Sequence, residues 1–517
     1  MDAISIFTGL VLLLLSLAGL IKLFISSYNE EEKKNLPPSP PSHPFIGHLH
    51  LLQKPLHQSL AAISSLHGPL LLLRFGSRPV LVVSSAPLAD DCFTTNDVTL
   101  ASRPKFPSFR TPSYNYTTMG TAPYGPWWRE MRRIATVEVL SGHRLSFFSD
   151  VREAEARAFV RRLFRDASSP GRDFKTVQLK QRLFGLTMNM IMMMMVGKRY
   201  YGEVEANERQ SQLFEEMMEE SFTLAGASNV GDFLPWPLGW FARLGVKSKL
   251  AQIHNYRDRL MQTLIDEQRK RRGAEEEEEE EAGHSTVIES LVSLQKSQPQ
   301  HYTDLFIKCI CLSLLSAGTD TSANTVEWAI SLLLNNPEKL EKLEHEIDDK
   351  VGRGRLLEES DLPKLTYLNN VITETLRMYP VVPLLLPHES TKDFKLGGYN
   401  IPSGMMILVN AYAIQRDPEI WSEPMKFLPE RFTDDSKPER GKVFSFGKGR
   451  RSCPGEALAM REVGFVLGTL VQCFEWRRVD SEDVDLKEGS GLTMPLKHPL
   501  QALCRPRQSM IPMLTQL

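Results

Sequence analysis

One cysteine in this chain sits where a thiol could do chemistry. The run Phe444-Ser445-Phe446-Gly447-Lys448-Gly449-Arg450-Arg451-Ser452-Cys453-Pro454-Gly455 sets it among glycines and arginines, and the pattern predicts an amphipathic helix from Glu456 to about Cys473. A cysteine just ahead of a helix start faces free backbone N–H groups and the positive end of the helix dipole. Both lower the thiol pKa and favour thiolate. Gly449 and Gly455 would let the backbone pass close to something flat, and Arg451 can pair with an anionic group of that ligand. For Cys453 alone a buried structural cysteine is the plainer reading, but the glycine and arginine spacing disfavours it. Cys309 and Cys311 lie two apart with no matching His or Cys pair, which is not zinc spacing.

Three other groupings lie upstream. Trp128 and Arg132 are four apart and share a helix face, a weak signal by itself. Ala317-Gly318-Thr319-Asp320-Thr321-Ser322 falls within a predicted helix from about Asp304 to Leu334, about 46 Å long and enough to cross a domain. Gly318 inside that helix costs roughly 1 kcal/mol against alanine, which suggests a groove for a small ligand. Glu374 and Arg377 are one turn apart, and Pro429-Glu430-Arg431-Phe432 follows.

Phe446-x-x-Gly449-x-Arg451-x-Cys453-x-Gly455 resembles the heme-ligand signature of cytochrome P-450 monooxygenases. The other motifs fall in that family's order, so the resemblance covers essentially the whole chain. It implies Cys453 as axial ligand of heme iron. It places Trp128, Arg132, His388 and Arg451 on the heme propionates, with Phe446, Gly449 and Gly455 shaping the loop. Asp320 and Thr321 resemble the family's proton-delivery pair, and Glu374, Arg377 and Arg431 its structural salt-bridged triad. Ser445 stands where many plant relatives carry proline, with little effect expected. The implied cofactor is heme b, whose thiolate ligand favours O–O cleavage. No Gly-x-Gly-x-x-Gly follows a predicted strand, so electrons must come from a partner. The resemblance implies NADPH–cytochrome P-450 reductase, with cytochrome b5 as an optional second donor. Arg129, Arg133, Lys442, Lys448 and Arg450 are its expected docking cluster.

The resemblance is to a plant group with isoflavone hydroxylases, lignan methylenedioxy-bridge enzymes and xanthone-forming enzymes. It implies a small phenolic or aromatic substrate, hydroxylated, with phenol coupling or methylenedioxy-bridge formation as the alternative. By family analogy the pocket is lined by Phe106, Phe109, Tyr114, Phe222, Leu314, Ala317, Val382, Leu385, Leu492 and Thr493. The segment from Asp232 to Leu238 is expected to dip into the membrane interface and admit lipophilic substrates.

These residues need elements to hold them. Residues 68–85 predict a small sheet, and from about 127 the chain is mostly helical in pattern. The methionines in 188–195 suit a helical core. The implied fold is mainly α with small β-sheets: a single large heme domain behind an N-terminal transmembrane helix. Nineteen residues between Asp2 and Lys22 carry no charge and make a helix of about 29 Å. Ser16-Leu17-Ala18 would pass as a signal cleavage site, but no basic region precedes the apolar run. Lysines follow the span and none precedes it, which puts the body in the cytosol. The divisions are therefore an anchor at 1–25, a proline-rich spacer at 26–45 and a heme-thiolate monooxygenase domain at 46–517, on the endoplasmic reticulum membrane. Charged residues are 24% of the chain and the net charge is −2, which excludes charge-driven nucleic-acid binding. Glu275–Glu281 reads as a solvated loop.

Overall fold

A computed structural model describes residues 35–517 except 168–172, 201–228, 236, 276–285 and 434–439. The expected anchor, Phe222, Trp236 and most of the glutamate run lie outside the described residues. Leu70–Phe75 (β1) and Arg78–Val83 (β2) pair as a hairpin within the expected small sheet, Leu71 opposite Val82. Leu70–Leu73 and Val80–Val83 are buried, so these strands read as continuous apolar runs. Lys175–Gln178 (β3) belongs to a second sheet. His388–Glu389 (β4) and Met406–Val409 (β7) complete the first sheet, in the order β1-β2-β7-β4. Between them Phe394–Leu396 (β5) and Tyr399–Ile401 (β6) form a small hairpin. β7 runs parallel to β2, Val80 beside Met406, and His388 pairs with Ile407. Phe474–Arg477 (β8) and Gln501–Pro506 (β9) complete the second sheet, β3-β9-β8.

Seven helices position the site: Pro126–Ile134 (α1), Ser149–Ala167 (α2), Lys180–Val196 (α3), Leu238–Glu275 (α4), Asp304–Asn335 (α5), Thr366–Met378 (α6) and Glu456–Cys473 (α7). Thr303 caps α5 by accepting the Phe306 N–H. α5 is apolar and long enough to cross a membrane. Its residues from Ser322 to Leu334 are instead buried inside the protein, against α3 and α7. The methionines of α3 take the expected core role: Met188, Met190, Met192, Met194 and Met195 are all buried.

Gly318 lines a cavity, as expected, and also serves packing: a Cβ there would lie 2.9 Å from Ile191 Cδ1, so α3 approaches α5 closely. One expectation changes here. The described part of the proline-rich spacer does not stand free. The Leu72 N–H donates to the Pro38 carbonyl, His48 Nε2 lies 2.8 Å from the Pro40 carbonyl, and Pro37 and Pro40 are buried.

Candidate active site

The Cys453 loop is held from three sides. The Cys453 N–H donates to the Phe446 carbonyl at 2.8 Å, which closes the loop ahead of α7. Gln415 bonds the Phe444 N–H through its side-chain oxygen and the Leu376 and Arg377 carbonyls through its amide, tying the loop to α6. Gly449 has φ +68°, and a Cβ there would fall 2.5 Å from Asp97 Oδ1 and 2.8 Å from the Phe93 carbonyl. Its glycine is needed by that neighbouring backbone, not by a flat ligand. Gly455 fits the expectation better: the nearest atom to a Cβ there is Cys453 Sγ at 3.9 Å, and that side opens into a cavity.

Ser445 also departs from expectation. Its hydroxyl donates to the Leu376 carbonyl at 2.7 Å and lies 3.3 Å from Gln415 Oε1, bonds a proline could not make. Ser445→Ala should lower stability by about 1 kcal/mol. An unchanged midpoint in a urea titration of the heme-loaded protein would contradict this.

The cavity, about 690 Å³, lies between this loop and α5. Cys453, Phe446, Gly455, Trp128, Arg132, His388 and Arg451 line it, as does Thr321 on α5. So do Phe106, Phe109, Leu314, Ala317, Val382, Leu385, Leu492 and Thr493. Tyr114 is not among them. It sits at φ 50° and turns toward α4, where its hydroxyl donates to Asp258 at 2.9 Å. Phe233 is also turned inward: it is 1% exposed and packs on Phe75 and Phe106 instead of dipping toward a membrane.

All six cysteines are unpaired, and only Cys453 is not fully buried. Burial pushes its thiol up, contrary to the expected fall. The Gly455 N–H and Arg132 act in the opposite direction but are smaller. A bound metal ion's charge would supply what the dipole does not, since a coordinating thiol is deprotonated outright.

Thr321 donates its hydroxyl to the Ala317 carbonyl one turn back. Asp320 does not line the cavity. Its Oδ2 accepts bonds from Thr493 at 2.7 Å and Asn324 at 3.0 Å, so a pocket loop holds this carboxylate. Glu374 accepts two bonds from Arg377, at 2.7 and 2.8 Å, and one from Arg431 at 3.0 Å, with all three side chains buried. Arg377 also donates to the Gln415 carbonyl, so this ion cluster supports the Cys453 loop at one remove.

Sequence reasoning missed several residues of the cavity wall, Arg103 and Glu462 among them. Arg103 is buried, donates to the Leu386 and Pro387 carbonyls, and leaves Nε without an acceptor. Glu462, on α7 beyond the Cys453 loop, is buried and accepts the Ser322 hydroxyl at 3.0 Å, next to Thr321. Burial pushes its carboxyl up to about 8. Its sequence signal is an acid on an otherwise apolar helix face.

The electrostatics test what group this cavity suits. Arg103, Arg132 and Arg451 converge here, and no carboxylate of the described residues pairs with them. Burial pushes Arg103 down to about 9. Burial, with Arg103 and Arg132 nearby, pushes Arg451 down to about 8. His388, whose Nδ1 bonds the Leu100 carbonyl, is held far below its usual range by burial and by Arg103 and Arg451. The Arg451 guanidinium lies 4.0 Å from the Trp128 ring centre. Buried cations without counter-charge are costly, so this wall calls for an anionic ligand. A flat macrocycle with two carboxylates, placed beside Cys453 and Gly455, fits.

The expected docking cluster is weaker than its charges suggest. Arg133 pairs with Glu130, Lys448 with Asp90 and Arg450 with Asp97.

Several known proteins are similar to this chain. An isoflavone 2'-hydroxylase of Glycyrrhiza echinata is 46% identical over 92% of both chains. A (+)-piperitol/(+)-sesamin synthase of Sesamum radiatum is 44% identical over 95% of both. A zebrafish cytochrome P450 solved with progesterone shares the fold at a TM-score of 0.73 and 24% identity, over 88% of this chain and all of that one. Residues 37–502 match the cytochrome P450 family. With its lone cavity thiol, its uncompensated arginines and this match across nearly the whole described chain, the protein belongs to the cytochrome P450 family: it is a monooxygenase whose cofactor is heme, with electrons from NADPH through a reductase.

Proposed function

We propose that the enzyme hydroxylates a phenolic or aromatic plant metabolite, of flavonoid, lignan or benzophenone type, in this cavity. The observation that carries the reading is the single thiol, Cys453, in the wall of a mostly apolar cavity faced by Ala317 and Thr321 of α5. The likeness to an isoflavone hydroxylase supports the substrate class. When bound, heme supplies the oxidising centre that activates dioxygen. Cys453 would ligate its iron, and Arg103, Arg132, His388 and Arg451 with Trp128 would hold its carboxylates. The Thr321 hydroxyl lines the cavity from α5, where it could give up its bond to Ala317 and hold a proton for the reacting oxygen. Asp320 supplies that proton from outside the cavity, and Thr493 and Asn324 fix its orientation. The apolar lining of Phe106, Phe109, Leu314, Val382, Leu385 and Leu492 excludes water and stacks an aromatic ring.

The likeness to a (+)-piperitol/(+)-sesamin synthase favours one second reading: methylenedioxy-bridge formation or oxidative phenol coupling without net oxygen insertion. We also propose that residues 1–25 anchor the chain in the endoplasmic reticulum membrane, with 26–45 leading to the heme domain in the cytosol. Leu238, Trp240, Phe241 and Leu244 are large exposed apolar side chains that suit a bilayer surface. The reductase of that membrane, with cytochrome b5 as a second donor, delivers the electrons.

Turnover under ¹⁸O₂ with reductase and NADPH tests the reaction. Flavonoids, lignans and benzophenones should give a product one labelled oxygen heavier. A product two hydrogens lighter and unlabelled would transfer the conclusion to ring closure. In the same assay Thr321→Ala should cut product formed per NADPH by roughly a hundredfold, the lower end of general-acid contributions. A constant ratio would remove Thr321 from proton delivery.

A further inference from the structure

Among the described residues four arginines line the cavity, and three of them are those proposed to hold the heme carboxylates. The fourth, Arg257, projects from α4. It is 7% exposed. One of its five N–H donors reaches a protein acceptor, Nη2 to the Pro112 carbonyl at 3.2 Å, and Nε is buried with no acceptor. Burial holds its pKa below the usual arginine range.

No acid of the described residues serves it. The adjacent Asp258 faces away, because consecutive helical residues do not share a face. Its carboxylate is taken by Lys308 at 2.6 Å and by the Tyr114 hydroxyl. Leu250, two turns before Arg257 and on the same face of α4, also lines the cavity, as do Phe109 and Pro112. Arg257 is thus a cation in an apolar wall, contributed by an element that carries none of the heme-facing arginines. Such a group is costly unless a ligand brings the counter-charge.

We propose that Arg257 is a specificity residue that binds an acidic oxygen of the substrate, a phenolate on a planar aromatic whose other end is presented to the oxidising centre. The assignment rests on the cavity being the substrate site. It narrows the substrate class: the free phenol is preferred over its methyl ether. A guanidinium lowers the pKa of a phenol beside it, and the ion pair formed away from water is stronger than a neutral hydrogen bond.

Binding spectra of the heme-loaded enzyme, read as the Soret shift on titration, test this with 7-hydroxyflavone and 7-methoxyflavone. Wild type should bind the phenol roughly tenfold more tightly than the ether. Arg257→Met should abolish that ratio without weakening the ether, and Arg257→Lys, which keeps the charge, should restore part of it. The carbon monoxide spectrum confirms that each variant holds heme. A wild-type enzyme that binds both equally, or a ratio that survives in Arg257→Met, would overturn the Arg257 assignment and leave the phenolic reading standing. No shift with either flavone would overturn both. If Arg257→Met does not hold heme, the wild-type ratio and Arg257→Lys decide.

Discussion

Cys453→Ser should leave a folded protein that no longer shows the red-shifted carbon monoxide band of thiolate-ligated heme and has no measurable monooxygenase turnover. The reasoning is chemical. A serine hydroxyl loses its proton far less readily than a thiol and donates far less electron density to iron. The loop itself should survive, because its closure depends on the backbone bond from Cys453 to Phe446, on Gln415 and on the close approach at Gly449. Heme should still enter, since the arginines proposed to hold its carboxylates are untouched. Far-ultraviolet circular dichroism and heme content should therefore match wild type while the spectrum and activity do not. A serine variant that kept the red-shifted carbon monoxide band and normal turnover would remove Cys453 from the iron.

Glu374→Gln should have the largest effect on stability. Glu374 and Arg377 are 0% exposed and Arg431 only 6%, so a neutral amide leaves two guanidiniums in the interior without an anion. Breaking a buried ion pair from one side typically costs about 3–5 kcal/mol. Against a total stability of about 5–15 kcal/mol, that is a large share. Arg377 would also loosen from the Gln415 carbonyl, and Gln415 holds the Cys453 loop. Heme loss should accompany the fall in thermal midpoint. Glu430→Gln is the control. Its carboxylate meets Lys339 and Lys342 in a half-exposed setting and should cost at most about 1 kcal/mol. Equal midpoints for the two variants would show that the buried cluster does not carry the stability assigned to it.

What the sequence made legible was local. Cys453 with its glycines, the pair Glu374 and Arg377, and the pair Asp320 and Thr321 each lie within a few residues, so spacing alone places them on one loop or one helical turn. The hairpin at 70–83, the long helix α5 and the end of α7 at Cys473 follow from apolar runs and turn residues. The rest depended on the approach of distant segments. Nothing near Gly449 in sequence announces Asp97, and nothing near Gly318 announces Ile191. Arg103 and Arg257 look like ordinary surface arginines until burial strips them of water. Tyr114 turned away from the cavity because Asp258, over a hundred residues later, accepts its hydroxyl. Ser445 passed as a neutral replacement because its acceptor lies on α6.

The parallel pairing of β2 with β7 sets the order in which this chain can fold. Val80 meets Met406, so the first sheet stays incomplete until about four-fifths of the chain has been made. During that interval the β1–β2 hairpin carries Val80–Val83 with one open edge, the kind of surface that pairs with other chains. Native contacts of such long sequence separation form slowly. Release of shortened chains ending before Met406 should therefore yield aggregates and not smaller folded pieces, and productive synthesis depends on keeping that edge covered until the late strand arrives.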